Sequence, residues 1–405
     1  MRGDLEALSV FGRPSGGTFA DGVSRVGYSP SDVAGRRFVM DAMEKAGARP
    51  RLDAAGNIFC RRAGLEDSLP PVLFGSHIDS VPSGGNFDGD LGVLSSLEVL
   101  RVLQAAGLRT RRPLEVVVWA CEEATFNGNS LNGSRVVAGK MKPGELDEVS
   151  SGVKKADAIR AIGGDPARIE TARMRPGAFH AYLELHIEQG GILDRERIPI
   201  GVVDGIVCVD RYSVVAEGFA NHAGTTPMAD RRDALVAASQ LVLAVREIVM
   251  AEQGGQVGTV GHLEVTPNAA NIIPGLVKMN IELRDLSTAK LQRLASRIRE
   301  RAAKITADTR VRIAIDPLMH HESALAAASV QRVIEDQARM LELRYRHLPS
   351  GAGHDAQMMA TLGPMGMIFV PSIGGISHSP KEVTSWDDCA RGANVLLHAV
   401  LALAA

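Results

Sequence analysis

The sequence predicts an α/β protein: a mostly parallel sheet flanked by helices, interrupted by an inserted ferredoxin-like α+β unit. Three observations carry this. Apolar strand-like runs alternate with amphipathic helices in the first half, the order changes to β-α-β-β-α-β after about Val207, and the helix–strand alternation resumes after about Ser323. The predicted boundaries are therefore 1–207 and 323–405 for one discontinuous domain and 208–322 for the insert.

The elements follow in order. Ser31–Ala46 reads as an amphipathic helix opened by a Ser-Asp cap. Asn57–Arg61 and Pro71–Gly75 read as short strands, Leu91–Ala106 as a helix, and Leu114–Ala120 (LEVVVWA) as a buried strand by its continuous apolar run. In the insert, strands are expected at Arg211–Glu217, Gly258–Val265, Val277–Arg284 and Arg310–Asp316. Helices are expected at Ala229–Gln253 and Thr288–Ile305. MGMIFVPS supplies another buried strand in the returning domain.

Bulk properties narrow the function. A chain of 405 residues is long enough for two or three compact units. A net charge of −2 offers no basic excess, so no nucleic-acid or membrane-surface partner is expected. No apolar run reaches membrane-spanning length, and MRGDLEALSVFG lacks the apolar core of a secretory signal, so a cytoplasmic protein is expected. Cys60, Cys121, Cys208 and Cys389 form no CxxC pair, which argues against a disulfide framework and a structural zinc.

Chemistry concentrates at predicted strand ends. GSHIDSVPSGGNFDGDLG leaves a strand at Phe74 and enters a Gly-rich loop with His77, Asp79 and Asp88. Such loops bind ligands in open α/β sheets. His77 and Asp88 suit zinc or manganese, and Asp79 is placed to hold the second imidazole nitrogen of His77. WACEEATFNG puts Glu122 and Glu123 directly after a buried strand. Adjacent residues leaving a strand point apart, so one can bind metal while the other faces a water. LELHIEQGGIL offers His186, and GGISHSPKE offers His378. Each has a bland reading alone, whether surface acid or structural histidine; together they converge.

These segments resemble the aminoacylase/carboxypeptidase-like dinuclear metallohydrolases, and most closely the amidase branch of N-carbamoyl-L-amino-acid hydrolase, β-ureidopropionase and allantoate amidohydrolase. GSHIDSVPSGGNFDG, HIEQG, HAGTTPMADRRDAL, PNAANIIP, SGAGHDA and SHSPKE occur in family order across almost the whole chain. The resemblance implies a zinc-peptidase-like catalytic domain with two divalent ions (Zn, Mn, Co or Ni). His77, Asp88 and His186 would hold one; Asp88 would bridge to a second held by Glu123 and His378. Glu122 would be the general base and His222 an oxyanion stabiliser reaching a neighbouring subunit. Gln189, Asn271, Arg284 and His354 would bind substrate, with Arg284 gripping a carboxylate; His354 serves equally well as a satisfied loop histidine.

The insert would then be a lid and dimerisation domain of a homodimer, closing over a small carboxylate-bearing substrate. The implied reaction is hydrolysis of an N-carbamoyl-L-amino acid to amino acid, carbon dioxide and ammonia. Allantoate or ureidoglycolate-type amidohydrolysis, or a dipeptidase or aminoacylase activity, is the alternative, and a binding protein that kept the fold without the chemistry is a third. One departure stands out: the family commonly has Gly-Ser-Arg-Phe after the paired glutamates, and here Ala124–Asn127 puts Phe126 where a charge is expected beside the site.

Overall fold

The computed structural model describes residues 1–405, which divide into two compact units: Met1–Gly205 with Leu325–Ala405, and Ile206–Ala324. In the first unit the strands are β1 (Arg49–Leu52), β2 (Ile58–Arg62), β3 (Val72–His77), β4 (Leu114–Trp119), β5 (Ala181–Ile187) and β6 (Ile200–Ile206). The second unit contributes β7 (Cys208–Glu217), β8 (Val257–Thr266), β9 (Leu276–Asp285) and β10 (Arg312–His321). The chain returns through β11 (Tyr345–Ser350) and β12 (Met365–Val370).

The first sheet runs β1-β2-β4-β3-β5-β12-β6, with β11 also paired to β6. β3 lies parallel to β4 and β5, and β5 parallel to β12. Every residue of β3, β4, β5 and β12 is buried, as expected of parallel strands covered on both faces. The covering helices include Asp90–Ala105, Ala328–Met340 and Trp386–Leu403, whose apolar faces join Val72, Phe74, Leu183 and Ile368 in one core. The first long helix spans Pro30–Lys45, and its cap is Ser29 rather than Ser31: the Ser29 side chain accepts from Asp32 N–H, and Pro30 takes the first turn, where its missing N–H costs nothing.

In the second unit β8-β9-β7-β10 form an antiparallel sheet, and the chain order is β-α-β-β-α-β. Alternate residues of β7 (Cys208, Asp210, Tyr212, Val214, Ala216) are buried, and most of these pack in one core with the helices Ala234–Met250 and Thr288–Thr309. The first of these helices begins later than the apolar periodicity indicates. Asp233 caps it by accepting Leu235 and Val236 N–H, while Met228–Asp230 forms a separate short turn.

Candidate metal centre

Because β3, β4, β5 and β12 are parallel, their carboxyl ends share one edge of the sheet, where an open α/β fold binds ligands. His77 ends β3 opposite Trp119 of β4, and Glu122 and Glu123 follow β4 after a short turn. His186 lies near the end of β5 opposite Phe369 of β12, and the loop after β12 carries His378. Segments separated by hundreds of residues thus meet.

They meet around Asp88. Its Oδ1 lies 3.1 Å from His186 Nε2 and 3.4 Å from His77 Nε2; its Oδ2 lies 3.5 Å from His378 Nε2. Glu123 Oε1 is 3.3 Å from the same His378 nitrogen. Two groups of potential ligands result, His77–Asp88–His186 and Asp88–Glu123–His378, each with donor atoms within 4.8 Å of one another. Glu122 stands beside the first, its Oε2 3.9 Å from His77 Nε2.

The donor set fits divalent cations. His77 Nδ1 is 3.0 Å from the backbone carbonyl of Asp79, and His186 Nδ1 is 2.9 Å from that of Ile187. A carbonyl only accepts, so each Nδ1 carries a proton, and Nε2 faces the Asp88 carboxylate, offering a lone pair whenever the ring is neutral. Lone pairs facing a carboxylate oxygen call for a positive charge between them, and His186 Nε2 is buried without a hydrogen-bond partner.

Burial works against a charged imidazole at His77 and His186, yet the surrounding carboxylates, Glu122 and Asp88 foremost, push both above the ordinary histidine range, so a proton supplies the positive charge when no ion is bound. Burial disfavours a charged Asp88, yet His186, His378 and His77 hold it well below the ordinary carboxylate range. Hydrogen bonds to Asp88 and Glu123 push His378 up to about 10. Burial pushes Glu122 well above the usual carboxylate range, with Glu123, Asp355 and Asp79 adding to the rise against His77.

Asp79 works differently from the sequence expectation. It is the Asp79 backbone carbonyl, not its carboxylate, that takes His77 Nδ1; the carboxylate is 3.7 Å away. Its oxygens instead accept Glu122 N–H at 3.0 Å and Glu123 N–H at 3.1 Å, fixing the turn that carries both glutamates. That turn passes through Cys121 at φ 50°, a left-handed backbone unusual for a residue with a side chain. Gln189 (φ 59°) and His378 (φ 53°) share that conformation. Gln189 Nε2 donates to Asp88 Oδ2 at 2.6 Å, so Gln189 belongs to the same cluster.

His354 is packed against a ligand of the centre, His186. It is 1% exposed, its Nε2 is 2.9 Å from Ser350 Oγ, and its ring packs edge-on against His186 at 4.5 Å. Ser350 partners one ring nitrogen, and burial, with His186 adding to it, holds the His354 pKa well below the ordinary value. Phe126 is buried with Cys121, packs edge-on against Tyr28 at 5.8 Å and has the Lys155 ammonium over its ring.

Sequence reasoning missed Glu382. Its Oε1 accepts Phe87 and Asp88 N–H, each at 3.0 Å, and its Oε2 lies 2.7 Å from Ser377 Oγ. One buried carboxylate thus joins the loop bearing Asp88 to the loop bearing His378. A Cβ at Gly85 would come within 2.0 Å of Glu382 Oε1, so this approach requires glycine there. The signal was present in SHSPKE, but nothing in the string names the partner.

His222, Asn271 and Arg284 belong to the second unit. The His222 and Asn271 loops are zipped together: Ala223 N–H donates to Asn271 O, and Ile273 N–H to Asn221 O. His222 Nδ1 accepts from Gly224 N–H at 3.0 Å and Thr225 N–H at 3.2 Å, so the ring proton of the neutral form sits on Nε2. Arg284 pairs with Glu282 at 2.7 Å, and Arg211 pairs with the same carboxylate.

Comparison with known proteins places this geometry. Residues 73–402 match peptidase family M20/M25/M40. The chain is 38% identical to an N-carbamoyl-L-amino acid amidohydrolase of Geobacillus stearothermophilus, over 99% of this chain and 97% of that protein. It is equally 38% identical to a ureidoglycolate hydrolase of Arabidopsis thaliana, over 92% of this chain and 80% of that one. Among solved structures, an amidase of the hydantoinase/carbamoylase family from Burkholderia multivorans superposes with a TM-score of 0.91 at 36% identity, covering 100% of this chain and 97% of that one. The chain belongs to peptidase family M20/M25/M40, in the company of its amidohydrolases.

Proposed function

We propose that this protein hydrolyses the C–N bond of an N-carbamoyl-L-amino acid, yielding the amino acid, carbon dioxide and ammonia. The observation that carries the reading is Asp88, whose two oxygens face two separate ligand groups while Glu122 stands free beside them. Family membership and the amidohydrolase relatives support it.

In this reading His77, Asp88 and His186 hold one divalent ion, and Asp88, Glu123 and His378 a second. Bound there, such ions supply positive charge that polarises the scissile carbonyl and acidifies a water. Glu122 receives a proton from the attacking water and passes it to the leaving nitrogen; burial raises the affinity of its carboxylate for that proton. His222 donates Nε2–H to the developing oxyanion, the tautomer its two backbone donors enforce. Arg284 takes the substrate carboxylate, beside Arg211, with which it shares Glu282. Asn271 and Gln189 orient the ureido group. The second unit acts as lid and dimerisation domain of a homodimer, an arrangement that fits the exposed placement of His222.

No helix is long and apolar enough to cross a membrane. A small carboxylate-bearing substrate fits the relatives. The Arabidopsis relative, equal in identity, favours a ureidoglycolate-type substrate as the second reading. A screen of the metal-reconstituted protein over N-carbamoyl, N-formyl and N-acetyl amino acids, ureidoglycolate, allantoate and dipeptides separates the two. Turnover confined to dipeptides would reject both.

A further inference from the structure

The second unit contains a cluster that none of the chemistry above uses. Cys208 and Asp210 alternate along β7, so their side chains leave the same, buried face. Opposite them, β10 carries an irregularity between Pro317 and Met319. Pro317 pairs with Tyr212, Met319 with Arg211 and His320 with Asp210, leaving Leu318 as the extra residue. That bulge resets the alternation of the strand and brings His320 directly opposite Asp210.

The contacts are those of a ligand set. His320 Nδ1 lies 2.6 Å from Asp210 Oδ1 and 3.9 Å from Cys208 Sγ, and the three donor atoms lie within 4.8 Å of one another. The other ring nitrogen, Nε2, is 3.0 Å from Glu322 Oε1. Tyr212 OH donates to Asp210 Oδ2 at 3.3 Å, leaving Oδ1 toward the histidine.

His320 therefore has a carboxylate at each nitrogen. A neutral imidazole carries one proton and can satisfy only one of them. A doubly protonated ring satisfies both; with only Nε2–H, given to Glu322, the Nδ1 lone pair meets a carboxylate oxygen and a sulfur, and a metal cation can take the place of the second proton among the three. A carboxylate on the far nitrogen is also the arrangement that orients a metal-binding histidine. The cluster is reachable, since the His320 side chain is 43% exposed.

We propose that Cys208, Asp210 and His320 bind a zinc-class ion, separate from the hydrolytic centre, with Glu322 orienting His320. A thiolate with an imidazole and a carboxylate selects zinc or cobalt over magnesium and calcium. Binding forms the sulfur–metal bond and releases the Cys208 thiol proton to solvent, together with any second proton on His320. The ion ties β7 to β10 close to where the chain enters this unit at Ile206 and leaves it at Ala324.

Cobalt loading of the full chain tests this. Cobalt bound here gives a near-ultraviolet thiolate-to-metal charge-transfer band, whereas the ligands of the hydrolytic centre are imidazoles and carboxylates and give none. Cys208→Ser abolishes the band, lowers bound metal by one ion per chain and leaves turnover unchanged. His320→Ala, at a half-exposed position that folding tolerates, weakens the band in the same way. His186→Ala, which damages the hydrolytic centre, leaves it intact. Absence of the band in the unmodified chain, or its persistence in Cys208→Ser, overturns the proposal and leaves a proton as the only cation of this cluster.

Discussion

His77 and His186 are each 1% exposed and locked by backbone carbonyls, whereas His222 and Asn271 lie on exposed loops held chiefly by one another. The first unit fixes its polar side chains by burial among packed parallel strands. The second presents them at its surface. Chemistry that needs a set ligand geometry belongs where atoms cannot rearrange, and recognition of variable substrates belongs where loop sequence can change without disturbing a core.

The contrast can be broken at its strongest point first. Glu122→Gln is expected to lower kcat by about 10²–10⁴-fold with bound metal unchanged, measured by turnover and elemental analysis. Near-normal turnover would remove Glu122 from the base role. Next, Glu382→Ala is expected to weaken metal affinity by roughly 10–100-fold, as loss of a partner behind a ligand does. Glu382→Gln, which keeps an acceptor for Phe87 and Asp88 N–H, should recover much of it; equal losses in both would show that charge, not tethering, matters. The smallest change is expected in the second unit: Arg284→Ala should raise KM for carboxylate substrates by about 10-fold and spare kcat, since a hydrogen bond to a charged group contributes about 1.5–3 kcal/mol. A fall in kcat with KM unchanged would assign Arg284 to the reaction step instead.

Much of the centre was legible in the sequence because its residues sit at the ends of continuous apolar strands. His77, Glu122, Glu123 and His186 each follow or end such a run, and parallel strands bring those ends to one edge. What could not be read were contacts between backbone and side chain. The Asp79 carboxylate serves the Glu122 and Glu123 amides because the turn at Cys121 aims them at it, and no periodicity encodes that turn. Phe126 sits in a string that reads as lining the site, yet the chain turns its ring toward Tyr28. The start of the helix at Ala234 was obscured because Met228–Asp230 extends the apolar pattern upstream of the Asp233 cap. The pairing of His320 with Asp210 depends on a bulge; Pro317 signals an irregular strand there, but not which residue is the extra one.

Glu382 reaches Asp88 across 294 positions of the chain. During synthesis the histidines of β3 and β5 leave the ribosome long before that carboxylate does. Until the loop bearing Ser377, His378 and Glu382 arrives, the Asp88 loop lacks these partners and the Asp88–Glu123–His378 group is incomplete. Ion capture in its mature form is thus deferred until the last strand and its loop have docked, so a nascent chain that stalls or is cut before this point carries scattered donors rather than an active hydrolase.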